Sequence, residues 1–269
     1  MDAVVPPVRP EFFRVEQIMG MPILIDVRDP DVDPAVLDRA FAWLRQVDAR
    51  FSTYMTDSEI SRLNRGELIL ADVHPDVREV LARCEELRAE TGGYFDIRAP
   101  SLASGETAAS PAGATGSVDP SGLVKGWAVA RAAAILDEAG ARNYCINAGG
   151  DIAARGRPAP EPHWRIGIQH PLLRDQLAAV VAITDQAIAT SGAYERGAHI
   201  IDPRTGNPPE DVLSVTIIGP DLATADAYAT AAYAMGKAGP GWTARLTGYE
   251  AMTILADETV LSTMGFPSI

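Results

Sequence analysis

The chain has 269 residues, of which 47% are hydrophobic and 22% are charged, and its formal net charge is −13. A chain of this length and composition can bury a sizeable core, which excludes a disordered, collagen-like or disulfide-scaffolded protein. The negative charge disfavours partners that carry phosphate groups in bulk, so we expect no binding to nucleic acid or to anionic lipid. An anionic small molecule would need local positive charge or a metal ion at its site.

The two cysteines and the N-terminal residues point to a protein of the cell interior. Cys84 and Cys145 have no CxxC spacing and lie in apolar stretches, so we expect core packing rather than zinc binding or redox chemistry. The start, MDAVVPPVRPEFF, has no basic residue before an apolar segment, and so does not resemble a signal peptide. No run of about 18 apolar residues occurs, so no transmembrane segment is expected. These features predict a cytoplasmic protein.

The first half of the chain predicts a strand and two helices. PILIDV (22–27) has the composition of a strand, and Asp33-Pro34 is a typical helix start. The apolar residues that follow, from Val36 to Phe51, recur with a period of 3.6 and predict an amphipathic helix. A second helix is expected at 75–91, because Gly92-Gly93 can end it.

The second half of the chain predicts two helices, at about 124–139 and 225–235, and many strands. The predicted strands are RNYCIN (142–147), WRIGIQ (164–169), LAAVVAIT (177–184), QAIATS (186–191), LSVTIIG (213–219), AMTIL (251–255) and TVLST (259–263). Strands that follow strands, with helices interspersed, favour an α+β fold with mixed or antiparallel sheets over a doubly wound fold.

The domain organisation is predicted from composition. Residues 1–11 are expected to form a flexible arm, and 12–269 a single domain. Within that domain, alanine, serine and glycine dominate residues 101–117, which therefore predict a surface loop insert.

Asp226 and Thr230 form a candidate metal pair. Residues four apart share one face of a helix, and a carboxylate with a hydroxyl suits Mg²⁺ better than zinc. The alternative is an ordinary helix surface on which Asp226 interacts favourably with the helix dipole.

Two glycine-containing segments are candidate phosphate sites. In NAGGD (147–151), successive backbone N–H groups can bind phosphate, although a Gly-Gly pair is also typical of a tight turn. In VDPSGLVKGW (118–127), Lys125 lies near a predicted helix start, which suits an anion, although it is equally a lysine expected in solvent. Neither segment matches GxGxxG or a Walker A loop, which excludes those nucleotide folds.

His199 and Tyr54 are candidates with ordinary alternatives. A histidine between apolar residues is usually packed, but Ser191 and Asp202 would allow a Ser-His-Asp hydrolase, for which no GxSxG segment exists. Tyr54 lies in a polar loop, where its ring can stack on a planar ligand or remain a partly exposed side chain.

Seven segments taken together resemble the ApbE family, the FAD:protein FMN transferases. The resemblance runs from Met19-Gly20 to Gly236, most of the chain, and its segments occur in the family's order. They are FSTYMTDSEISRLN (51–64), TGGYFDI (91–97), VDPSGLVKGWAV (118–129), NAGGD (147–151), TSGAYE (190–195), HIIDPRTG (199–206) and DAYATA (226–231).

The resemblance implies an ApbE-like fold with a flavin cleft between two subdomains. It implies an enzyme that uses Mg²⁺, takes FAD as substrate, cleaves the pyrophosphate and attaches FMN through a phosphoester to a Thr or Ser of an acceptor protein, releasing AMP. One alternative is an FAD pyrophosphatase, in which water replaces the acceptor and the products are FMN and AMP. Another is a non-catalytic FAD-binding protein.

The resemblance also implies roles for residues of this chain. Mg²⁺ is held by Asp226, Thr230 and the backbone carbonyl of Val124, where the family usually has alanine. His199 is the base for the acceptor hydroxyl, because a histidine titrates near working pH, and Lys125 is the second catalytic residue, beside the phosphates. The remaining implied FAD contacts are Met19, Tyr54 (by stacking), Asp96, Asp119, Gly149, Gly150, Thr190 and Ser191.

Two positions depart from the family pattern. Met21 stands where the family has threonine after Met-Gly, and Ala130 stands where it often has aspartate. We expect each change to remove one polar contact with FAD.

Overall fold

A computed structural model describes residues 12–98, 117–193 and 200–269. The helices in these ranges are α1 (Ala35–Phe51), α2 (Glu59–Asn64), α3 (Pro75–Glu90), α4 (Ser121–Glu138), α5 (Leu222–Ala234) and α6 (Gly239–Thr243), with a 3₁₀ turn at Gly236–Ala238. The strands are β1 (Phe12–Ile18), β2 (Met21–Val27), β3 (Tyr144–Ala148), β4 (Asp151–Arg155), β5 (Trp164–Gln169), β6 (Leu177–Ile183), β7 (Gln186–Gly192), β8 (Val212–Gly219), β9 (Glu250–Leu255) and β10 (Val260–Ser262).

Eight strands form one sheet, in the order β1-β2-β3-β4-β7-β8-β9-β10, and β5 pairs with β6 as a separate hairpin. Every pairing is antiparallel, which confirms the predicted α+β class with antiparallel sheets. The central strands of the large sheet, β3, β4 and β8 among them, are buried on both faces. On β8, Val215 and Ile217 pack into the main core with the helices, whereas Ile218 packs into a second core with the hairpin.

The predicted helices and strands of the chain are largely confirmed. In α1 the buried residues are those at the predicted spacing: Val36, Leu37, Ala40, Phe41, Leu44, Val47 and Phe51. Asp33 Oδ1 accepts the N–H of Ala35 at 2.9 Å, as expected for a helix start. Gly92, with φ +63°, follows α3 as predicted. Helix α4 begins at Ser121, three residues before the predicted start, so Lys125 lies inside the helix rather than ahead of it.

Two strands of the large sheet have no counterpart among the predictions, for different reasons. On β1, the charged Arg14 and Glu16 lie at half-buried positions that face α1, where Arg14 pairs with Asp38 at 2.7 Å. The apolar Phe13 and Val15 lie at exposed positions. The order of apolar and polar residues therefore does not match the order of buried and exposed positions, and no strand was predicted. Strand β4 begins with an aspartate and contains two alanines, which have low strand propensity. It forms because β3 and β7 both pair with it.

Some predictions concern residues outside the described ranges. The arm at 1–11 and the loop insert, apart from Ser117, are among them, so both stay predictions. None of the described helices combines the length and apolar character that a membrane crossing requires. Cys84 and Cys145 are free and buried, as predicted, and burial raises the pKa of each thiol to about 12.

The contact between α4 and α5 depends on a glycine. A Cβ added at Gly126 would lie 2.7 Å from the carbonyl oxygen of Leu222 and 2.9 Å from Cα of Ala223, both backbone atoms that cannot turn aside. We therefore expect Gly126→Ala to lower the free energy of unfolding by about 1 to 3 kcal/mol, measured by denaturant titration. Gly241→Ala, in α6, is the matched control because no atom lies within 4 Å of its added Cβ. Equal stability of the two variants would contradict the prediction.

Candidate active site

A cavity of about 340 Å³ lies between the β1–β2 turn, the end of α1, the loop after α1 and the start of α4. Its walls are mainly apolar and include Met19, Met21, Val47, Phe51 and Val124. Met19 has φ +56°, which is unusual for a residue with a side chain, and its N–H donates to Asp48 Oδ2 at 3.1 Å. The turn that carries Met19 is therefore fixed to α1 at the cavity wall.

Tyr54 lies on the loop that lines the same cavity, and its side chain is 84% exposed. The loop is held by Ser52, whose Oγ accepts the N–H groups of Tyr54 at 3.2 Å and of Met55 at 3.3 Å. A large ring is thus presented to solvent beside a cavity by a hydrogen-bonded turn. This arrangement leaves the ring available to stack on a planar ligand.

Lys125 connects the cavity to a buried group of charged side chains. Its side chain is 18% exposed and lines the cavity, and its Nζ lies 2.7 Å from Asp151 Oδ2 and 3.8 Å from Asp226 Oδ1. The Asp151 and Asp226 side chains are 2% and 5% exposed. The ammonium therefore lies between two buried carboxylates, one on β4 and one on α5.

Asp226 and Thr230 share the inward face of α5, and the alternative of a solvent-exposed helix surface is therefore wrong. Asp226 is buried, and its Oδ2 accepts the N–H of Gly126 on α4 at 3.3 Å. Thr230 Oγ1 lies 3.3 Å from Oγ of Ser191 on β7. The helical spacing therefore places the predicted carboxylate and hydroxyl against α4 and β7.

Asp151 is a residue of this site that the predicted site set omitted. It is buried, and its Oδ1 accepts the N–H of Thr190 on β7 at 3.3 Å. Thr190 in turn pairs through Oγ1 with Oγ1 of Thr216 at 2.9 Å. The available signal was an aspartate placed directly between a Gly-Gly turn and an apolar segment, where a buried carboxylate requires a partner.

The oxygens of this site fit Mg²⁺. Across the described ranges, no three His, Cys, Asp or Glu side chains cluster in a way that suits a metal. Mg²⁺ does not require such a cluster, because it commonly takes one or two carboxylates and completes its shell with water and substrate phosphates. Asp226 and Thr230 supply a carboxylate and a hydroxyl, and Val124, 6% exposed, lies one residue before Lys125 on the cavity wall.

Gly149 and Gly150 form the two-residue turn between β3 and β4, with φ +58° and +98°. Positive φ at both positions is what such hairpin turns require, so the tight-turn alternative is confirmed. The N–H of Gly149 donates to the Pro22 carbonyl at 3.3 Å and that of Gly150 to Asn147 Oδ1 at 2.9 Å. Both donors are thus already used within the protein. A Cβ at Gly149 would lie 2.8 Å from Met21 Sδ, so the turn packs directly behind the cavity wall.

The other predicted site residues are placed differently. Asp96 forms an ion pair with Arg88 at 3.1 Å, and Asp119 Oδ1 accepts the N–H of Ser121 at 3.0 Å at the start of α4. Both carboxylates therefore have structural partners, and neither is among the residues that line the cavity. His199 lies outside the described residues.

The chemistry of these side chains defines the class of site. An ammonium group, buried carboxylates and hydroxyls stand beside an apolar cavity, which suits a ligand with an anionic part and a ring. The ApbE family model matches residues 19–111 and 104–253, and the chain belongs to the ApbE family.

Relatives and solved structures agree with this assignment. An FAD:protein FMN transferase of Haemophilus influenzae is 28% identical over 246 residues, which cover 73% of this chain and 71% of that protein. One of Salmonella typhimurium is 35% identical over 129 residues, which cover 44% of this chain and only 37% of that protein. The structure of the flavin transferase ApbE from Vibrio cholerae superimposes with a TM-score of 0.82 at 25% identity, covering 95% of this chain and 97% of that one. The ApbE-like fold is therefore confirmed.

Proposed function

We propose that this chain is an Mg²⁺-dependent FAD:protein FMN transferase that cleaves the pyrophosphate of FAD and transfers FMN to a Ser or Thr hydroxyl of an acceptor protein. The observation that carries the proposal is the contact between Lys125 and the buried Asp151–Asp226 pair, at the wall of the cavity that Met19 and Tyr54 also line. The names of the relatives support the reaction class.

The proposed roles follow from placement. Asp226 and Thr230 would hold Mg²⁺ together with the carbonyl of Val124, and the bound ion would neutralise negative charge on the pyrophosphate and on departing AMP. Lys125 would lie beside the phosphates, because it places a cationic group at the cavity wall. Tyr54 would stack on the isoalloxazine ring. Thr190 and Ser191 would border the same cluster through their contacts with Asp151 and Thr230.

The remaining assignments stay predictions. His199 is proposed as the base that takes the proton of the acceptor hydroxyl, and Asp96, Asp119, Gly149 and Gly150 as residues that frame FAD. The acceptor is proposed to be a protein with an accessible Ser or Thr. The cytoplasmic location also stays a prediction.

The pyrophosphatase alternative uses the same site with water in place of the acceptor hydroxyl. The chemistry at phosphorus is nearly the same, so the residues described above do not separate the two reactions. The non-catalytic alternative is disfavoured by the presence of Asp226 and Thr230, which a chain without turnover has no need to retain.

The test is incubation of the full chain with FAD, with and without Mg²⁺, followed by chromatography of nucleotides and flavins. Metal-dependent AMP release supports the proposed chemistry. Free FMN as the co-product identifies water as an acceptor, whereas mass spectrometry of an added acceptor protein detects an FMN adduct if transfer occurs. Absence of FAD binding, or of AMP release in the presence of both Mg²⁺ and acceptor, would contradict the proposal.

A further inference from the structure

The outer edge of strand β1 is a surface to which the proposed function assigns no role. β1 is the first strand of the eight-stranded sheet, and among the described residues no strand pairs with its outer side. Ile18 and Met21 flank the two-residue β1–β2 turn and form the hydrogen-bonded pair that closes the hairpin. Because such pairs alternate along an antiparallel ladder, Phe13, Val15 and Gln17 direct their backbone N–H and C=O groups away from β2.

The side chains of β1 that face α1 carry charges of opposite sign, two residues apart. Arg14 pairs with Asp38 at 2.7 Å, and Glu16 pairs with Arg45. The Asp38 and Arg45 side chains are themselves largely exposed, so the flank of α1 that meets β1 is open to solvent. Charged side chains often protect an edge strand from pairing, but opposite charges at this spacing can face each other across two antiparallel copies.

The opposite face of β1 is apolar and exposed at Phe13 and Val15. The β5–β6 hairpin covers this face of the sheet farther along, where it packs in the second core with Cys145 of β3 and Ile152 of β4. The exposure of Phe13 and Val15 shows that the hairpin does not reach β1. The edge therefore combines outward backbone groups, a charged face and an apolar face.

From these features we propose that two copies of the chain associate by antiparallel pairing of β1 with β1, about a two-fold axis at Val15. In this register Val15 faces Val15 of the second copy and Phe13 faces Gln17, so all three outward residues form backbone hydrogen bonds. Arg14 faces Glu16 of the second copy, at a non-hydrogen-bonded position where side chains approach closely. The same patch serves both copies, as a two-fold symmetric interface requires.

The other symmetric registers are less favourable. An axis at Arg14 would place two arginines opposite each other, and an axis at Glu16 two glutamates, and like charges directly opposite destabilise a strand pair. An axis at Phe13 or at Gln17 would pair fewer of the outward residues of β1. The charges therefore select one register, which distinguishes this pairing from the unspecific association of an apolar edge.

The first measurement is sedimentation velocity of the full chain over a range of protein concentrations. The wild type is expected to pass from the mass of one chain to that of two as the concentration rises. Hydrogen exchange at the amides of Phe13, Val15 and Gln17 should slow over the same range, because these N–H groups become bonded in the pair.

Val15→Lys tests the position of the axis. It places two ammonium groups opposite each other in the pair, and we expect it to weaken association by at least about 100-fold. The fold should survive because Val15 is exposed. Val260→Lys is the matched control, since Val260 is an exposed valine of β10, the strand at the other edge of the same sheet. This control should associate as the wild type does.

Arg14→Glu and Glu16→Arg together test the register. Each variant alone is expected to remain a single chain, because like charges then face each other across the axis. An equimolar mixture of the two should associate, because every charge in the mixed pair faces one of opposite sign. A variant that had merely lost its fold would not be rescued by mixing.

Three results would overturn the proposal. The first is a wild type that stays a single chain at every soluble concentration; slow exchange at Val15 in that single chain would show that another part of the chain covers the edge. The second is a Val15→Lys variant that associates as strongly as Val260→Lys. The third is a mixture of the two charge variants that stays unassociated. None of these results bears on AMP release, so the proposed function is tested separately.

Discussion

Asp226→Asn is expected to slow Mg²⁺-dependent AMP release from FAD by at least about 100-fold, because it removes the buried charge proposed to hold the ion. Asparagine retains an oxygen that can accept the N–H of Gly126, the contact that Asp226 makes at 3.3 Å. The fold and part of the FAD affinity should therefore survive. The measurement is the initial rate of AMP formation at saturating FAD over a range of Mg²⁺ concentrations.

Asp221→Asn is the matched control for that variant. Asp221 lies at the N-terminus of the same helix, where its side chain accepts the N–H of Thr224 at 2.7 Å. Asparagine caps helices as well as aspartate, so this variant should keep the wild-type rate within about a factor of two. A wild-type rate in Asp226→Asn would overturn the metal assignment, and equal losses in both variants would indicate a general effect of charge on α5.

Lys125→Met is expected to lower the free energy of unfolding by about 3 to 5 kcal/mol, since it leaves a buried carboxylate without its cation. The Asp151 side chain is only 2% exposed and lies 2.7 Å from the ammonium that the substitution removes. Urea denaturation followed by tryptophan fluorescence measures the change. Lys125→Met/Asp151→Asn should regain part of the loss, because the carboxylate nearest to the removed ammonium is then neutral, while Asp226 still lacks the cation 3.8 Å away.

An exposed ion pair provides the comparison for this stability prediction. Asp38, 70% exposed, pairs with Arg14 at 2.7 Å, and Asp38→Asn should change the free energy of unfolding by at most about 1 kcal/mol. If Lys125→Met were no more destabilising than Asp38→Asn, the Lys125–Asp151 contact would not be the buried pair described above. A double variant as unstable as Lys125→Met would also contradict the prediction.

The sequence by itself determined features that depend on neighbours along the chain. The period of apolar residues identified α1, and the alternation in WRIGIQ identified β5, whose bounds are those predicted. The order of short segments indicated the family. The i, i+4 spacing of Asp226 and Thr230 also identified two residues of the candidate site, because helical geometry alone places them on one face.

The tertiary structure alone decided which side chains meet across the sheet. Asp151 was visible in NAGGD, but its pairing with Lys125 requires β4 to lie beside α4, and its contact with Thr190 requires β4 to pair with β7. No local pattern encodes these contacts, since they follow from strand order and helix packing between segments far apart in sequence. For the same reason the weak strand β4 formed where its composition did not predict one. Local periodicity therefore gave the elements and the metal pair, whereas long-range pairing decided which carboxylate holds the lysine.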